Sequence, residues 1–68
     1  MKLKYDKQTD TLLIMLHDLE IEETEEIRTG VLADFDKNGS LVSLEILNAS
    51  KKVASLDEVI YNEKVLAA

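Results

Sequence analysis

The sequence predicts a small α+β domain in which an antiparallel β-sheet of about four to five strands, arranged as a meander, precedes one or two C-terminal helices. Apolar and polar residues alternate through much of residues 1–47, and turn-forming residues separate the alternating runs. Residues 48–68 lose this alternation and gain alanine, lysine and helix-capping residues. We therefore expect residues 1–68 to form a single domain, with the β-meander over residues 1–47 and a helical segment over residues 48–68.

The first two predicted strands form a hairpin. Residues 1–5 alternate between apolar and lysine side chains, which is typical of a half-buried strand. After a polar turn, residues 11–17 are almost wholly apolar, and we interpret them as a strand that is buried on both faces. Pairing Tyr5 with Leu12 makes one face of this hairpin entirely apolar. On the reverse face, a leucine and a methionine then lie opposite the two lysines.

The third predicted strand is acidic. Residues 20–26 contain five glutamates, and a weak strand over residues 25–29 ends at Gly30, which is expected to adopt a positive φ in a turn or bulge. Such a strand suits the edge of a sheet, because charge discourages pairing with other chains. Two alternating strands follow it, over residues 31–36 and residues 41–47.

The last two strands of the sheet form the clearest hairpin in the chain. Asn38-Gly39 between two alternating runs is the strongest short-range hairpin signal. A two-residue type I′ loop sets Phe35 opposite Val42 and makes one face of the hairpin apolar. We reject a three-residue loop, which sets Phe35 opposite Leu41, because it would mix the apolar and polar faces.

The C-terminal segment contains two helix signals. Asn48 is expected to cap a short helix over residues 49–53. Ser55, with Glu58 at the third helical position, has the form of a capping box and predicts a second helix of about 11 residues. A helix of that length is marginal alone in water, so we expect it to pack on the sheet or on a partner chain.

The composition excludes several classes of function. Fourteen acidic residues against eight basic residues give a net charge of −6, which disfavours nucleic-acid binding. The absence of cysteine excludes disulfides and thiolate zinc sites, and the single histidine disfavours imidazole metal sites. The longest apolar run has five residues, whereas a membrane-spanning helix needs about 20, so no membrane insertion is expected. No secretory signal is recognised at the N-terminus, and a cytoplasmic location is predicted.

Few residues suggest chemistry. His17 is interpreted as the solvent-facing end of a strand, and the serines occupy turn, strand or cap positions, so no catalytic residues and no cofactor are predicted. Asp34 and Glu45 share the polar face of the second hairpin, and Asp36 lies further along it. These three carboxylates form a candidate site for weak binding of a divalent cation, but strand spacing separates them and an ordinary solvated face is the favoured explanation.

Size alone predicts self-association, because a chain of 68 residues builds only a small core. Leu13 and Met15 point away from the core face of the second strand, and a monomer would expose them. Tyr61 and Val65 lie beside the apolar stripe of the second predicted helix. We therefore predict a homo-oligomer, most simply a dimer, with Leu13, Met15, Tyr61 and Val65 as its candidate interface.

Three loose motifs follow one another along the chain. They are Tyr5-Asp6-x-x-x-Asp10-x-Leu12-x-Ile14, then Gly30-Val31-x-x-Asp34-x-Asp36-x-x-Gly39, then Leu44-Glu45-Ile46-Leu47-x-Ala49-Ser50. Their order and spacing resemble the small prokaryotic family known as domain of unknown function 2283. The resemblance covers residues 1–52 and does not extend to the tail that begins at Val53.

The resemblance implies a compact antiparallel sheet with a C-terminal helix and no established activity. It carries over no catalytic residues. Among the matching positions, we interpret Asp10 as a turn former, and Ser50, together with Asn48, as a helix cap. Short genes of this kind are sometimes found beside toxin-like partners, which suggests an antitoxin-like role.

Together these observations favour a non-enzymatic, self-associating α+β module that works by protein–protein contact. An antitoxin-like partner of a small basic toxin is the first alternative, supported by the acidic stretch at residues 20–26. A weak divalent-cation binder that uses Asp34, Asp36 and Glu45 is the second alternative.

Overall fold

The computed structural model describes residues 1–58 and 66–67. Its elements are β1 (Lys2–Asp6), β2 (Thr11–Met15), β3 (Glu23–Arg28), β4 (Val31–Phe35), β5 (Leu41–Leu47), α1 (Ala49–Lys52) and β6 (Leu66–Ala67). Residues 56–58 are also helical. The predicted α+β class, with an antiparallel sheet followed by short helical segments, is confirmed. Most of the second predicted helix, including Tyr61 and Val65, lies outside the described residues.

All six strands belong to one sheet with the order β3-β4-β5-β2-β1-β6. β3, β4 and β5 form a meander, and the β1–β2 hairpin joins it through antiparallel pairing of β2 with β5. The apolar strand β2 therefore lies inside the sheet. The acidic strand β3 forms an edge, as predicted, with all six residues exposed. The short strand β6 pairs in parallel with β1, a contact that the sequence did not predict.

A linking segment, residues 16–22, carries the chain from β2 to β3. Both of its ends are fixed by backbone hydrogen bonds to the second hairpin. The N–H groups of Leu16 and His17 donate to the carbonyl of Val42 at 2.9 and 3.1 Å, and the N–H of Glu22 donates to the carbonyl of Phe35 at 2.7 Å. The segment therefore passes the turn end of the β4–β5 hairpin.

The predicted registers of both hairpins are confirmed except at the turn end of the second hairpin, from Phe35 onward. β1 and β2 pair Tyr5 with Leu12, as predicted. β4 and β5 follow the predicted register from Val31 to Asp34, after which the register shifts and Phe35 pairs with Leu41. The prediction that Phe35 lies opposite Val42 is therefore wrong.

The shift comes from the turn, which is not the predicted type I′ turn. In the turn Gly39 has a φ of +79°, but Asn38 is not in the positive-φ region that type I′ also requires there. The N–H of Gly39 donates to the carbonyl of Asp36 at 3.0 Å. The Asp36 carboxylate also accepts the N–H groups of Asn38 and Ser40, at 2.8 and 2.9 Å. An aspartate at the first position favours a type I turn, and the following glycine forms a bulge that absorbs one residue.

The core lies on one face of the sheet. Leu12, Ala49 and Leu56 are at most 7% exposed and form one cluster, so α1 and the helical residues 56–58 cover this face. Four partly buried side chains pack against the cluster: Tyr5, Ile14, Ile46 and Val53. We call this side of the sheet the core face. The described part of the chain contains no helix that is long and apolar enough to cross a membrane.

The Asp10 carboxylate holds α1 against the β1–β2 turn. Its two oxygens accept hydrogen bonds from the hydroxyls of Tyr5 and Ser50, at 2.7 and 2.6 Å, and from the Ser50 N–H at 3.0 Å. The Asp10 carbonyl also accepts the N–H of Ala49 at 2.9 Å. The hydrogen bonds from Ser50 and then from Tyr5 lower the pKa of Asp10 below its ordinary value. We call this set of contacts the Asp10 clamp.

Two predicted caps differ in the structure. Asn48 precedes α1 as predicted, but it adopts a left-handed conformation with a φ of 54°, and its side chain makes no capping hydrogen bond. Asp10 supplies the missing acceptor from a distant part of the chain. Ser55 also has a positive φ, of 57°, whereas an N-cap residue of a capping box has an extended backbone. The predicted capping box is therefore wrong, and the Glu58 N–H donates to the Ser55 carbonyl instead, at 3.0 Å.

The turn geometry predicts the effect of a substitution at Gly39. Gly39→Val should lower the free energy of unfolding by more than about 1 kcal/mol, because a β-branched residue is strained at positive φ. A Cβ atom there would meet no other atom within 4 Å, so backbone conformation alone should cause the loss. Gly39→Asn is the matched control, since asparagine tolerates this conformation better. Equal stabilities of the Val variant and the wild type in chemical denaturation would contradict the turn assignment.

The Asp10 clamp predicts the effect of truncating its serine. Ser50→Ala should lower the free energy of unfolding at neutral pH, because it removes the hydroxyl hydrogen bond to the Asp10 carboxylate. Ser40→Ala, at an exposed position in the hairpin turn, is the control and should change stability less.

Acidification provides a second test of the clamp. A lowered pKa means that the clamp contributes stability above the ordinary carboxyl pKa, and that this stability is lost as pH falls through the lowered value. The difference between the Ser50→Ala variant and the wild type should therefore shrink in acid. A pH-independent difference in denaturation experiments would argue against the clamp.

Candidate functional site

The side of the sheet opposite the core face presents a mixed polar and apolar surface, which we call the open face. Strand register and alternation place these residues on it: Lys2, Lys4, Leu13, Met15, Thr24, Glu26, Leu32, Asp34, Ser43, Glu45 and Leu47. Leu13, Met15, Leu32 and Leu47 remain partly accessible to solvent. The described helical residues pack on the other side of the sheet, so the open face is the candidate functional surface.

A buried carboxylate lies within the open face. Asp34 is 1% exposed and its cross-strand partner Ser43 is 2% exposed. The Ser43 hydroxyl donates to one oxygen of Asp34, and the Thr24 hydroxyl donates to the other, each at 2.6 Å. Asp34 therefore connects β3, β4 and β5 through side-chain hydrogen bonds. Burial of this carboxylate is tolerated because both of its oxygens are satisfied.

Glu45 forms an unequal pair with Asp34. Burial raises the pKa of Asp34, but the hydrogen bonds from Ser43, Thr24 and Glu45 outweigh it and hold the pKa below its ordinary value. Burial raises the pKa of Glu45, and the hydrogen bond and negative charge of Asp34 raise it further. Asp34 is therefore the carboxylate of the pair, and Glu45 is the group that takes up a proton first.

Two shallow clefts flank Glu45 on the open face. One has a volume of about 230 Å³, and Leu13 and Met15 line it together with Leu19 and Ile21 of the linking segment. Leu19 and Ile21 are 50% and 48% exposed, which is high for large apolar side chains. The second cleft, of about 320 Å³, has Lys4, Leu13 and Leu47 in its lining. Leu13 and Glu45 line both clefts, so they occupy the middle of the surface.

The structure brings together only part of the predicted cation site. Asp34 and Glu45 are neighbours, but Asp36 lies in the hairpin turn, where two backbone N–H groups occupy its carboxylate. Within residues 1–58 and 66–67, no group of three or more histidine, cysteine, aspartate or glutamate residues could hold a metal ion. Asp36 separates from the other two because the bulge after Asp34 changes the register at that point. A cation site built from all three carboxylates is therefore not assembled.

Other predicted residues are found at or near this surface. Leu13 and Met15 lie on the open face, as their alternation predicted, and are only partly buried. His17 is exposed at the end of β2 and borders the first cleft. Asp34 and Glu45 share one face of the second hairpin, as predicted, but the sequence did not indicate that Asp34 and its partner Ser43 are buried. Leu19 and Ile21 were missed because they belong to an irregular segment without periodicity.

Comparisons with known proteins identify relatives of unknown function. The sequence model of the family described as "Protein of unknown function (DUF2283)" matches residues 2–50, which include strands β1 to β5 and both ends of the Asp10 clamp. An uncharacterized protein of Methanocaldococcus jannaschii is 42% identical over 50 residues, which cover 74% of this chain and 42% of the relative. The matched region thus spans less than half the length of that relative. No solved structure matches the chain.

The Asp34–Glu45 pair predicts a distinctive pH dependence of stability. Because the pKa of Glu45 is raised in the fold, its contribution is fully present below its ordinary value of 4.5 and is lost as pH rises through the raised value. Glu45→Gln stays neutral, so its stability should not fall over that range. Its free energy of unfolding should therefore rise relative to that of the wild type as pH rises from 4.5 to neutral.

The control for this prediction is the same charge change at an exposed position. Glu25→Gln, on the core-face side of the edge strand, should leave the shape of the pH profile close to that of the wild type. Chemical denaturation between acid and neutral pH measures both variants. If the two profiles coincide, Glu45 does not carry the proton of the pair.

Proposed function

We propose that this chain, which belongs to the DUF2283 family of proteins of unknown function, is a non-enzymatic interaction module that self-associates through its open face and acts in the cytoplasm. The observation that carries the proposal is the apolar band on this face. Leu13 and Met15 form its centre, and the exposed Leu19 and Ile21 extend it onto the linking segment.

The packing of the two faces of the sheet supports an interface at the apolar band. On the core face, Ala49 and Leu56 cover Leu12, while neighbouring apolar side chains such as Ile14 and Ile46 pack against this cluster and are partly buried. On the open face, comparable leucines keep contact with water, although burying apolar surface is worth about 25 cal/mol per Å². A second copy of the chain presents the same band, and two such surfaces stacked face to face would make a sandwich with a shared interior.

The buried carboxylate of the open face does not oppose this association. Asp34, the most deeply buried carboxylate, already has its hydrogen bonds within the chain. Glu45 has a raised pKa and therefore accepts a proton more readily than an ordinary glutamate. Stacking would not leave Asp34 without hydrogen-bond partners, and loss of partners is the usual penalty for covering a polar group.

Self-association through the open face predicts the effect of a charge at its centre. Leu13→Asp should convert a dimer into a folded monomer, because an unpaired carboxylate buried at an interface is strongly unfavourable. Leu12→Asp, one residue earlier and 2% exposed on the core face, should instead prevent folding. Ile27→Asp is the matched control, since Ile27 is 43% exposed at a bulge of the edge strand outside the band.

Light scattering coupled to size-exclusion chromatography measures the mass of each variant, and circular dichroism reports whether it is folded. A wild-type protein that is strictly monomeric at micromolar concentration would contradict the proposal. So would a Leu13→Asp variant that keeps the wild-type mass and stability.

The edge strand β3 supports a second candidate function, as an antitoxin-like partner of a small basic protein. All six residues of β3 are exposed, and three of them are glutamates. In the described sheet, its outer edge is free to accept another strand. A second copy of β3 would bring glutamates against glutamates, whereas a basic strand would be attracted. Co-purification of the untagged protein from its native host tests this candidate, and recovery without a basic partner would count against it.

A further inference from the structure

The open face carries its charges in an order that distinguishes between two ways of docking a second copy. One row of directly paired residues crosses five strands, in the order Glu26, Leu32, Glu45, Leu13 and Lys4. The β3 end of the row is negative and the β1 end is positive. Both ends are exposed, and the leucine between each end and the central Glu45 is partly buried.

A second row runs beside the first, and its negative charge again lies toward β3 and its positive charge at β1. It consists of Thr24, Asp34, Ser43, Met15 and Lys2. Its only exposed charge is Lys2, because Asp34 is buried. Two lysines therefore project from β1 on this face, whereas the edge strand β3 offers a glutamate and a threonine.

Two copies stacked face to face can be related by a two-fold axis that runs along the strands or across them. Strands are about 4.8 Å apart, so Glu26 and Lys4 lie about 19 Å apart across the sheet, with β5 midway between them. An axis along β5 reverses the order of strands and sets Glu26 of each copy against Lys4 of the other. An axis across the strands keeps the order and sets Glu26 against Glu26 and Lys4 against Lys4.

Building on the self-association proposed above, we infer that a second copy of this chain docks on the open face with the two-fold axis parallel to β5. In this arrangement Lys4 of each copy pairs with Glu26 of the other, and Leu13 of each copy contacts Leu32 of the other. Opposite charges at the rim fix the orientation, while the leucines supply the apolar contact. The alternative axis would place like charges opposite one another at both ends of the row.

Glu45 lies close to the axis in both arrangements, so it does not distinguish between them. Two Glu45 side chains approach one another wherever the axis crosses the middle of the row. The discrimination therefore depends on the two ends of the row.

Charge reversal at the ends of the row gives a decisive test. Lys4→Glu alone sets the introduced glutamate of each copy against Glu26 of the other, at two symmetric positions. Glu26→Lys alone sets the introduced lysine of each copy against Lys4 of the other. Each single variant should raise the dimer dissociation constant by about ten-fold or more. An equimolar mixture of the two variants should recover a heterodimer, because each copy then meets opposite charges at both positions.

Matched controls keep the charge change and alter its location. Glu25→Lys changes the neighbouring residue of β3, on the core-face side, and Lys7→Glu changes an exposed lysine in the β1–β2 turn. Neither should change the dissociation constant by more than about two-fold. Circular dichroism establishes that every variant is folded, and sedimentation equilibrium of single variants and of the mixture at low salt measures association.

The outcomes separate this inference from the self-association on which it rests. Weakened single variants with recovery in the mixture support the inferred axis. A dimeric wild type whose association is unaffected by either reversal, or whose variants do not recover on mixing, overturns the axis and leaves self-association standing. A monomeric wild type overturns both.

Discussion

The Asp10 carboxylate connects the turn between β1 and β2 to the start of α1, across 40 residues of sequence. Tyr5 reaches the same carboxylate from within β1. This contact brings Ala49 against Leu12 and so begins the cluster that forms the core face. An isolated helix of four residues does not form in water, so α1 depends on its contact with Asp10. The clamp therefore positions α1 on the side of the sheet that alternation makes apolar.

Covering one face of the sheet leaves the other face with a different character. The open face combines a buried polar network around Asp34 with leucines that remain partly in water. Hydrogen bonds from Ser43 and Thr24 make the network internal to the chain, so it needs no partner. The leucines, in contrast, remain partly accessible to solvent in the described part of the chain. This contrast is why the proposed function is contact with another copy rather than chemistry at the carboxylates.

Charge has separate roles on the edge and on the open face. Along β3, closely spaced glutamates discourage pairing between identical edges, which protects an exposed strand from aggregation. On the open face, the separation of Glu26 from Lys4 by the width of the sheet gives the surface a direction. Charge thus discourages pairing between identical β3 edges and, in the proposed dimer, orients the stacking of two open faces.

The sequence did not indicate the strand β6 or the pairing of β2 with β5. It predicted β1 to β5, the pairing within both hairpins and the faces of these hairpins, because alternation has a period of two and a register slip would expose the apolar residues. It also determined that β3 is an edge, and that Leu13 and Met15 point away from the core. It could not determine the turn type, since the side chain of Asp36 overrides the usual preference of Asn38-Gly39 for type I′. Local pattern also misassigned the helix cap, because the acceptor, Asp10, is distant in sequence.

The different roles of the Asp34, Asp36 and Glu45 carboxylates follow from the tertiary structure. Asp34 and Asp36 are two residues apart, and both were candidate ligands with Glu45 in the sequence. The bulge and the turn separate them, so that one joins a buried network and the other holds a loop. Burial and pairing, which depend on the linking segment and on neighbouring strands, then set opposite pKa shifts on Asp34 and Glu45. Sequence patterns record which residues share a face, whereas solvent access and partner atoms depend on how distant segments pack together.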